Sequence, residues 1–241
     1  MKHLKTLFGV LALVAAVSCA KQSAKSGQVT FEVSSNQTVA DVTKSNVSDY
    51  TDLPSAADFT ISVSGDEFNW SGKISEWNPA IALMAGEYSV TASYGDVEDE
   101  GFDKPFFTGS QTFTVRGAEQ TAVSVPVALG NAIIKMTFSE SFNNYYKDYT
   151  FKLTRDGADI ATFVKGETKA AFIDPYKITL EGTLVGEKNK TVPVKYDYTN
   201  LNEATAYTFN FDLTNVGGAA IRISFNDTVQ TIELGDVELN D

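Results

Sequence analysis

Cysteine, histidine and arginine are nearly missing from this sequence. Its 241 residues hold one Cys (Cys19), one His (His3) and three Arg (Arg116, Arg155 and Arg222). Without a second Cys there is no intramolecular disulfide. Without imidazole beyond residue 3, the body of the chain has no Ser-His-Asp or Cys-His nucleophile, no His-ligated metal and no Cys-built zinc site. Positive charge is scarce too: 19 Lys and Arg stand against 31 Asp and Glu, a net charge of −12. Phosphate backbones and anionic lipid surfaces repel such a chain, which argues against nucleic acid as a partner. No Gly-rich phosphate loop follows a strand pattern. Nor does any long segment repeat its apolar positions every 3.6 residues, so extended amphipathic helices are not expected.

What is present begins at the N-terminus. Lys2, His3 and Lys5 precede an apolar run, Leu7–Val17. At about 1.5 Å per residue it reaches roughly half of a ~30 Å hydrocarbon core, too short for a membrane span. Ala16-Val17-Ser18-Cys19 follows, the small-residue cleavage site of a secretory signal. These four residues also resemble a bacterial lipobox, in which the Cys becomes the first mature residue and is acylated on sulfur and amine. An ordinary signal peptide cut at the same bond is the alternative. The lone Cys favours the lipid, because a secreted chain seldom keeps one unpaired thiol. The expectation is a signal peptide over 1–18, lipid attachment at Cys19, a polar tether over 19–27, and the outer membrane as partner through that anchor.

Hydrophobic residues make up 43% of the chain, enough for a real core. Beyond the tether, apolar residues alternate with polar ones. Val29-Phe31-Val33, Phe59-Ile61-Val63, Tyr88-Val90-Ala92-Tyr94 and Val123-Val125-Val127 are examples, as are Tyr149-Phe151-Leu153 and Tyr207-Phe209-Phe211-Leu213. Period two in β-branched and aromatic residues predicts half-buried antiparallel strands, about a dozen of them. Turn residues separate them at Ser64-Gly65-Asp66, Arg116-Gly117 and Asp156-Gly157. Asn78–Ala85 and Ser139–Tyr146 are the candidates for one helical turn each. A dozen strands exceed one seven-stranded sandwich. The fold class expected is therefore all-β: two tandem antiparallel β-sandwich domains of transthyretin- or Ig-like, Greek-key type, over 28–129 and 130–241. The halves also echo one another: Asp58–Gly65 resembles Asp148–Arg155, and Glu87–Ala92 resembles Pro175–Leu180.

Three groups of residues are candidates for function. Asp96, Asp99 and Asp103, with Glu98 and Glu100, crowd the segment between Gly95 and Pro105. Oxygen ligands at this density suggest Ca²⁺ weakly, for no EF-hand spacing is present, and a solvated acidic loop is the plainer reading. Trp70 and Trp77 flank Gly72 and can either stack on a sugar ring or fill the core. Phe102, Phe106 and Phe107 lie in the same loop as the acids. They suit a ligand contact or a contact with the chain's own second domain.

Met84–Gly95, Phe102–Val115 with its Pro105-Phe106-Phe107-Thr-Gly109 core, and Val127-Ala-Leu-Gly-Asn131-Ala132 resemble an uncharacterised Bacteroidetes lipoprotein family with tandem β-sandwich, fimbrillin-like domains. The resemblance implies a non-catalytic envelope lipoprotein without cofactors, structural or adhesive in role and fimbria-associated or adhesin-like, with a protein or glycan partner. A carbohydrate-binding accessory lipoprotein using Trp70 or Trp77 is the second reading. Fimbrillin-type pilins are released by cleavage at an Arg ahead of the first sandwich. Here the first Arg is Arg116, within the strand region, so that route is closed. Ala20–Gly27 carries Lys21 and Lys25 and no acid, unlike surface-exported members of that phylum, which leaves the cell surface and the periplasmic face both open.

Overall fold

The structure, a computed structural model, describes residues 25–39, 45–186, 189–213, 220–225 and 228–233, the last two spans as backbone. The alternating segments become strands. The first half holds β1 (Ser26–Ser35), β2 (Thr60–Gly65), β3 (Phe68–Lys73), β4 (Leu83–Met84), β5 (Gly86–Tyr94), β6 (Gly101–Phe102), β7 (Phe107–Val115) and β8 (Gln120–Leu129). The second half holds β9 (Ala132–Phe138), α1 (Glu140–Tyr145), β10 (Asp148–Arg155), β11 (Ala158–Val164), β12 (Ala171–Ile173), β13 (Ile178–Val185), β14 (Thr191–Tyr198), β15 (Thr205–Leu213), β16 (Ala220–Phe225) and β17 (Thr228–Glu233).

Hydrogen bonding orders the first half β3-β2-β5-β7-β8-β1-β4. The β7–β8 link consists of the pairs Phe107↔Leu129 and Thr108↔Ala128 at one end of the strands. Four strands, β3-β2-β5-β7, thus form one layer and β8-β1-β4 another. Their facing side chains, among them Val29, Ile61, Val63, Val90, Val115 and Val125, are buried together. Where the layers join, the β7 and β8 backbones nearly touch. A Cβ on Gly109 would stand 1.9 Å from the Pro126 carbonyl oxygen, so the corner admits only glycine.

The second half has the layer β11-β10-β13-β14 and the layer β17-β16-β15-β9-β12-β6. Its core is aromatic, with Phe142, Tyr149, Phe151, Phe209 and Phe211 all buried. Strand for strand the plan repeats the first half. The strand order β11-β10-β13-β14 answers β3-β2-β5-β7, and β15-β9-β12 answers β8-β1-β4. The second half adds β16 and β17 on one edge and takes β6, from the first half, on the other.

The structure departs from the sequence expectations in three respects. Two pairs are parallel, β1 with β8 and β9 with β15. Alternation records which face a side chain takes and is blind to strand direction; a parallel pair needs a long crossover, and here the intervening layer provides it. Asn78–Ala85 is a turn running into β4 rather than a helix, because Asn78 Oδ1 accepts the Ala80 N–H at 2.9 Å and closes a local turn around Pro79. Ser139–Tyr146 does form α1, capped by Ser139 Oγ accepting the Phe142 N–H at 3.1 Å. Finally β4, β6 and β12, of two or three residues each, carry too few positions to show a period, and the edge strands β3 and β11 add to the dozen expected.

Candidate functional site: the junction loop

The loop from Gly95 to Gly109 connects β5 to β7. Its base closes on Gly95, which has φ 76° and whose missing Cβ would meet the Pro105 carbonyl oxygen at 2.4 Å. Asp96 Oδ1 accepts the Glu98 N–H at 3.0 Å and turns the chain. The loop then leaves its own half. As β6 it pairs with β12, Phe102 opposite Ala171 and Gly101 opposite Phe172. The Phe102 ring meets Phe163 of the second half edge-on, centroids 4.9 Å apart. On the return, the Phe106 N–H donates to Asn131 Oδ1, and the Phe106 carbonyl accepts the Gly130 N–H at 2.8 Å. Asn131 is fully buried, and its carbonyl accepts the Ala204 N–H at 2.9 Å.

Ionic contacts follow the same path. Arg155, at the end of β10, donates to Glu100 Oε2 at 2.8 Å, to the Asp174 carbonyl at 2.7 Å and to the Lys177 carbonyl at 3.1 Å. Glu100 Oε1 accepts the Asp174 N–H at 2.7 Å. The Arg155 and Glu100 side chains are 18% and 14% exposed, so this pair sits well out of water. Burial pushes the Glu100 carboxyl above its ordinary value, opposed by the Asp174 N–H and by the Arg155 charge. Asp103 pairs with Lys169 and Asp99 with Lys104, both largely exposed. Apolar contacts complete the junction: Ile133, Ala170, Phe172 and Ala206 belong to the second half by sequence but pack in the core of the first.

The candidates named from sequence are thus dispersed. Cys19 lies outside the described residues. Trp77 is buried, its indole N–H donating to the Val29 carbonyl at 2.9 Å, so of the two roles open to it from sequence it takes the core one. Trp70 is half-buried on edge strand β3 with its ring edge-on to Trp77 at 5.1 Å. Phe107 is core, whereas Phe102 and Phe106 line the junction. Asp96, Asp99 and Asp103 line one hollow, but among the described residues no three His, Cys, Asp or Glu side chains form a metal-sized group. A backbone N–H, Lys104 and Lys169 engage these carboxylates. Sequence reasoning missed Arg155, Asp174 and Asn131. The signals were faint: Arg155 is one of three Arg, and Asn131 stands in an otherwise apolar run. Beside the loop lies a hollow of about 440 Å³ lined by Asp58, Lys73, Tyr94, Asp96, Asp99 and Lys104, among others.

Residues 25–241 match the family described as "Domain of unknown function (DUF4493)". The chain belongs to the DUF4493 family. No curated protein matches it. Among solved structures, a suspected cell adhesion protein from Bacteroides ovatus is similar at 14% identity and a TM-score of 0.48, over 88% of this chain and 99% of that one. A second suspected cell adhesion protein, from Bacteroides uniformis, is similar at 10% identity and 0.45, over 86% and 98%. A suspected polysaccharide-binding protein from Bacteroides thetaiotaomicron is similar at 10% identity and 0.44, over 86% and 98%.

Proposed function

We propose that this DUF4493 chain is a non-catalytic lipoprotein of the bacterial outer membrane, anchored through Cys19, that serves a structural or adhesive role. Its two tandem β-sandwich domains span 28–129 and 130–241. The observation that carries this reading is the junction. Glu100, Phe102 and Phe106 of the Gly95–Gly109 loop join one half of the chain to the other through Arg155–Glu100, β6 and the Phe106–Asn131 contact. A loop committed to bracing suits a stalk or subunit better than a turnover site. Intact mass and membrane fractionation of wild type against Cys19→Ala test the anchor. Two masses differing only by the substitution, with both proteins soluble, would remove it. Copurification with a polymer or a pilus-like partner tests the adhesive role.

A carbohydrate-binding role is favoured by the polar hollow beside the loop, where the Tyr94 ring stands among Asp58, Lys73, Asp96 and Lys104. Carboxylates and ammonium groups around an aromatic ring are the groups that hold sugar hydroxyls and a sugar face. Binding on a glycan array that Tyr94→Ala abolishes, with Trp70→Ala as the comparison, would establish this role in place of a purely structural one.

A further inference from the structure

We propose a mechanical function: the parallel β1–β8 pair of the first half is a clamp that resists a pull along the chain. The direction of the pull, from the Cys19 end toward the second half, rests on the lipid-anchored reading; the clamp itself rests on topology.

In the first half, β1 and β8 run parallel with consecutive partners from Gln28↔Gln120 to Ser35↔Val127. The ladder is closed at one end by the Gln28 N–H donating to the Glu119 carbonyl at 3.0 Å. The Asn36 N–H closes the other, donating to the Val127 carbonyl at 2.8 Å. In the second half, β9 and β15 run parallel from Ala132↔Thr205 to Phe138↔Phe211. That ladder is closed by Ala204 N–H to Asn131 carbonyl at 2.9 Å and Ser139 N–H to Phe211 carbonyl at 3.0 Å.

Direction decides what these ladders do under load. The chain enters β1 at Ser26 and leaves β8 at Leu129, passing directly toward β9. Because the strands are parallel, those two points are opposite ends of one ladder. A pull between them loads every rung at once, in shear. An antiparallel hairpin such as β10–β11, pulled at its open end, loses one rung at a time. A single net hydrogen bond contributes only about 1 kcal/mol, but forced unfolding is governed by the barrier, and rungs that must fail together raise it. Side chains oppose sliding as well. Val29 on β1 and Val125 and Val127 on β8 point into the core, so a one-residue slip would turn each strand's apolar face to water. Two further contacts hold β1: the Trp77 indole on the Val29 carbonyl, and β4 pairing with Ser26 and Gly27.

The test stretches single unlipidated full chains in two geometries. The first holds the Cys19 thiol and a handle on Asp241. The second holds Cys19 and the thiol introduced by Glu119→Cys, which lies at the same end of the β1–β8 ladder as Ser26. Glu119 contributes its carbonyl to the ladder and its side chain is exposed, so the substitution leaves the fold intact. End to end, the first half is expected to release as one step of about 35 nm, from roughly a hundred residues at about 3.5 Å each. Its force is expected to be at least about twofold above that of the second geometry, where the ladder unzips. Equal forces, or a lower force end to end, would overturn the clamp. Such a result would leave the lipid anchor standing, just as an unacylated Cys19 would sink the anchor and leave the clamp.

Discussion

In the first half Ile61 on β2 stands opposite Ala92 on β5; at the corresponding rung of the second half Phe151 on β10 stands opposite Gly182 on β13. The exchange is one of volume. A Cβ on Gly182 would lie 2.5 Å from Phe151 Cε1, so the ring occupies the room a methyl would need. Rings occur in both cores, Phe59, Tyr88 and Phe113 in the first and Phe142, Phe151 and Phe211 in the second, but the second packs some of them closer. Phe138 lies 4.3 Å from Tyr149, and Phe151 lies 4.3 Å from Phe211. One strand plan thus tolerates two fillings so long as alternation and total volume are kept. The halves differ in independence as well. The second takes its edge strand β6 from the first and contributes Phe172 and Ile133 to the first half's core.

The largest test of that exchange is Phe172→Ala. Removing this fully buried ring should cost about 3–5 kcal/mol. Because Phe172 sits in a second-half strand and a first-half core, hydrogen exchange should rise in β2 and β5 together with β9. A loss confined to β9 and β12 would mean that the halves are less coupled than their contacts suggest. Arg155→Met comes next, at about 3 kcal/mol by chemical denaturation, since it strands Glu100 without its cation. Lys195→Met, which breaks an exposed pair with Glu181, should leave the denaturation midpoint in place.

Gly182→Ala sharpens the volume argument. It should cost about 1–3 kcal/mol by crowding Phe151. Adding Phe151→Ile, which imports the first half's pair, should recover part of that loss, a coupling of about 1 kcal/mol in a double-mutant cycle. Strictly additive losses would show that the two positions do not share space.

A further effect is on pH. Burial raises the Glu100 carboxyl above 4.5, so the folded chain keeps that proton longer than the unfolded chain does. The group's contribution to stability is therefore full in acid and is lost as pH climbs from 4.5 through the raised value. Wild type should match Glu100→Gln most closely in acid and fall behind it as pH rises through that window. Wild type gaining on the variant would instead mean that Arg155 outweighs desolvation.

Much of this plan was legible in the sequence. The echo between Asp58–Gly65 and Asp148–Arg155 falls on β2 and β10, which hold equivalent places in their layers. Phe59, Ile61 and Val63 match Tyr149, Phe151 and Leu153 in burial as well as in spacing. The second echo also falls on equivalent strands, β5 and β13, but its register was off by two. Val63 pairs with Val90, whereas Leu153 pairs with Leu180 rather than Ile178. A slip of two keeps every side chain on its face, so alternation cannot detect it. It does leave Tyr176, the apparent counterpart of buried Tyr88, 66% exposed. The junction was half legible. Acids, aromatics and bounding glycines marked Gly95–Gly109 as a contact loop, but the loop's partners Arg155, Asp174 and Asn131 are distant in sequence and follow no period.

By itself, the sequence determined an all-β chain, the face each alternating strand buries and the positions of several turns, because these depend on neighbours one to four residues away. Tertiary structure alone decided that β1 lies parallel to β8 and β9 to β15, that β6 crosses to the other half, and that Trp77 turns inward to bond Val29. Each of those depends on which distant backbone reaches an unpaired N–H or carbonyl first. Local alternation carries no record of that competition, and packing settles it.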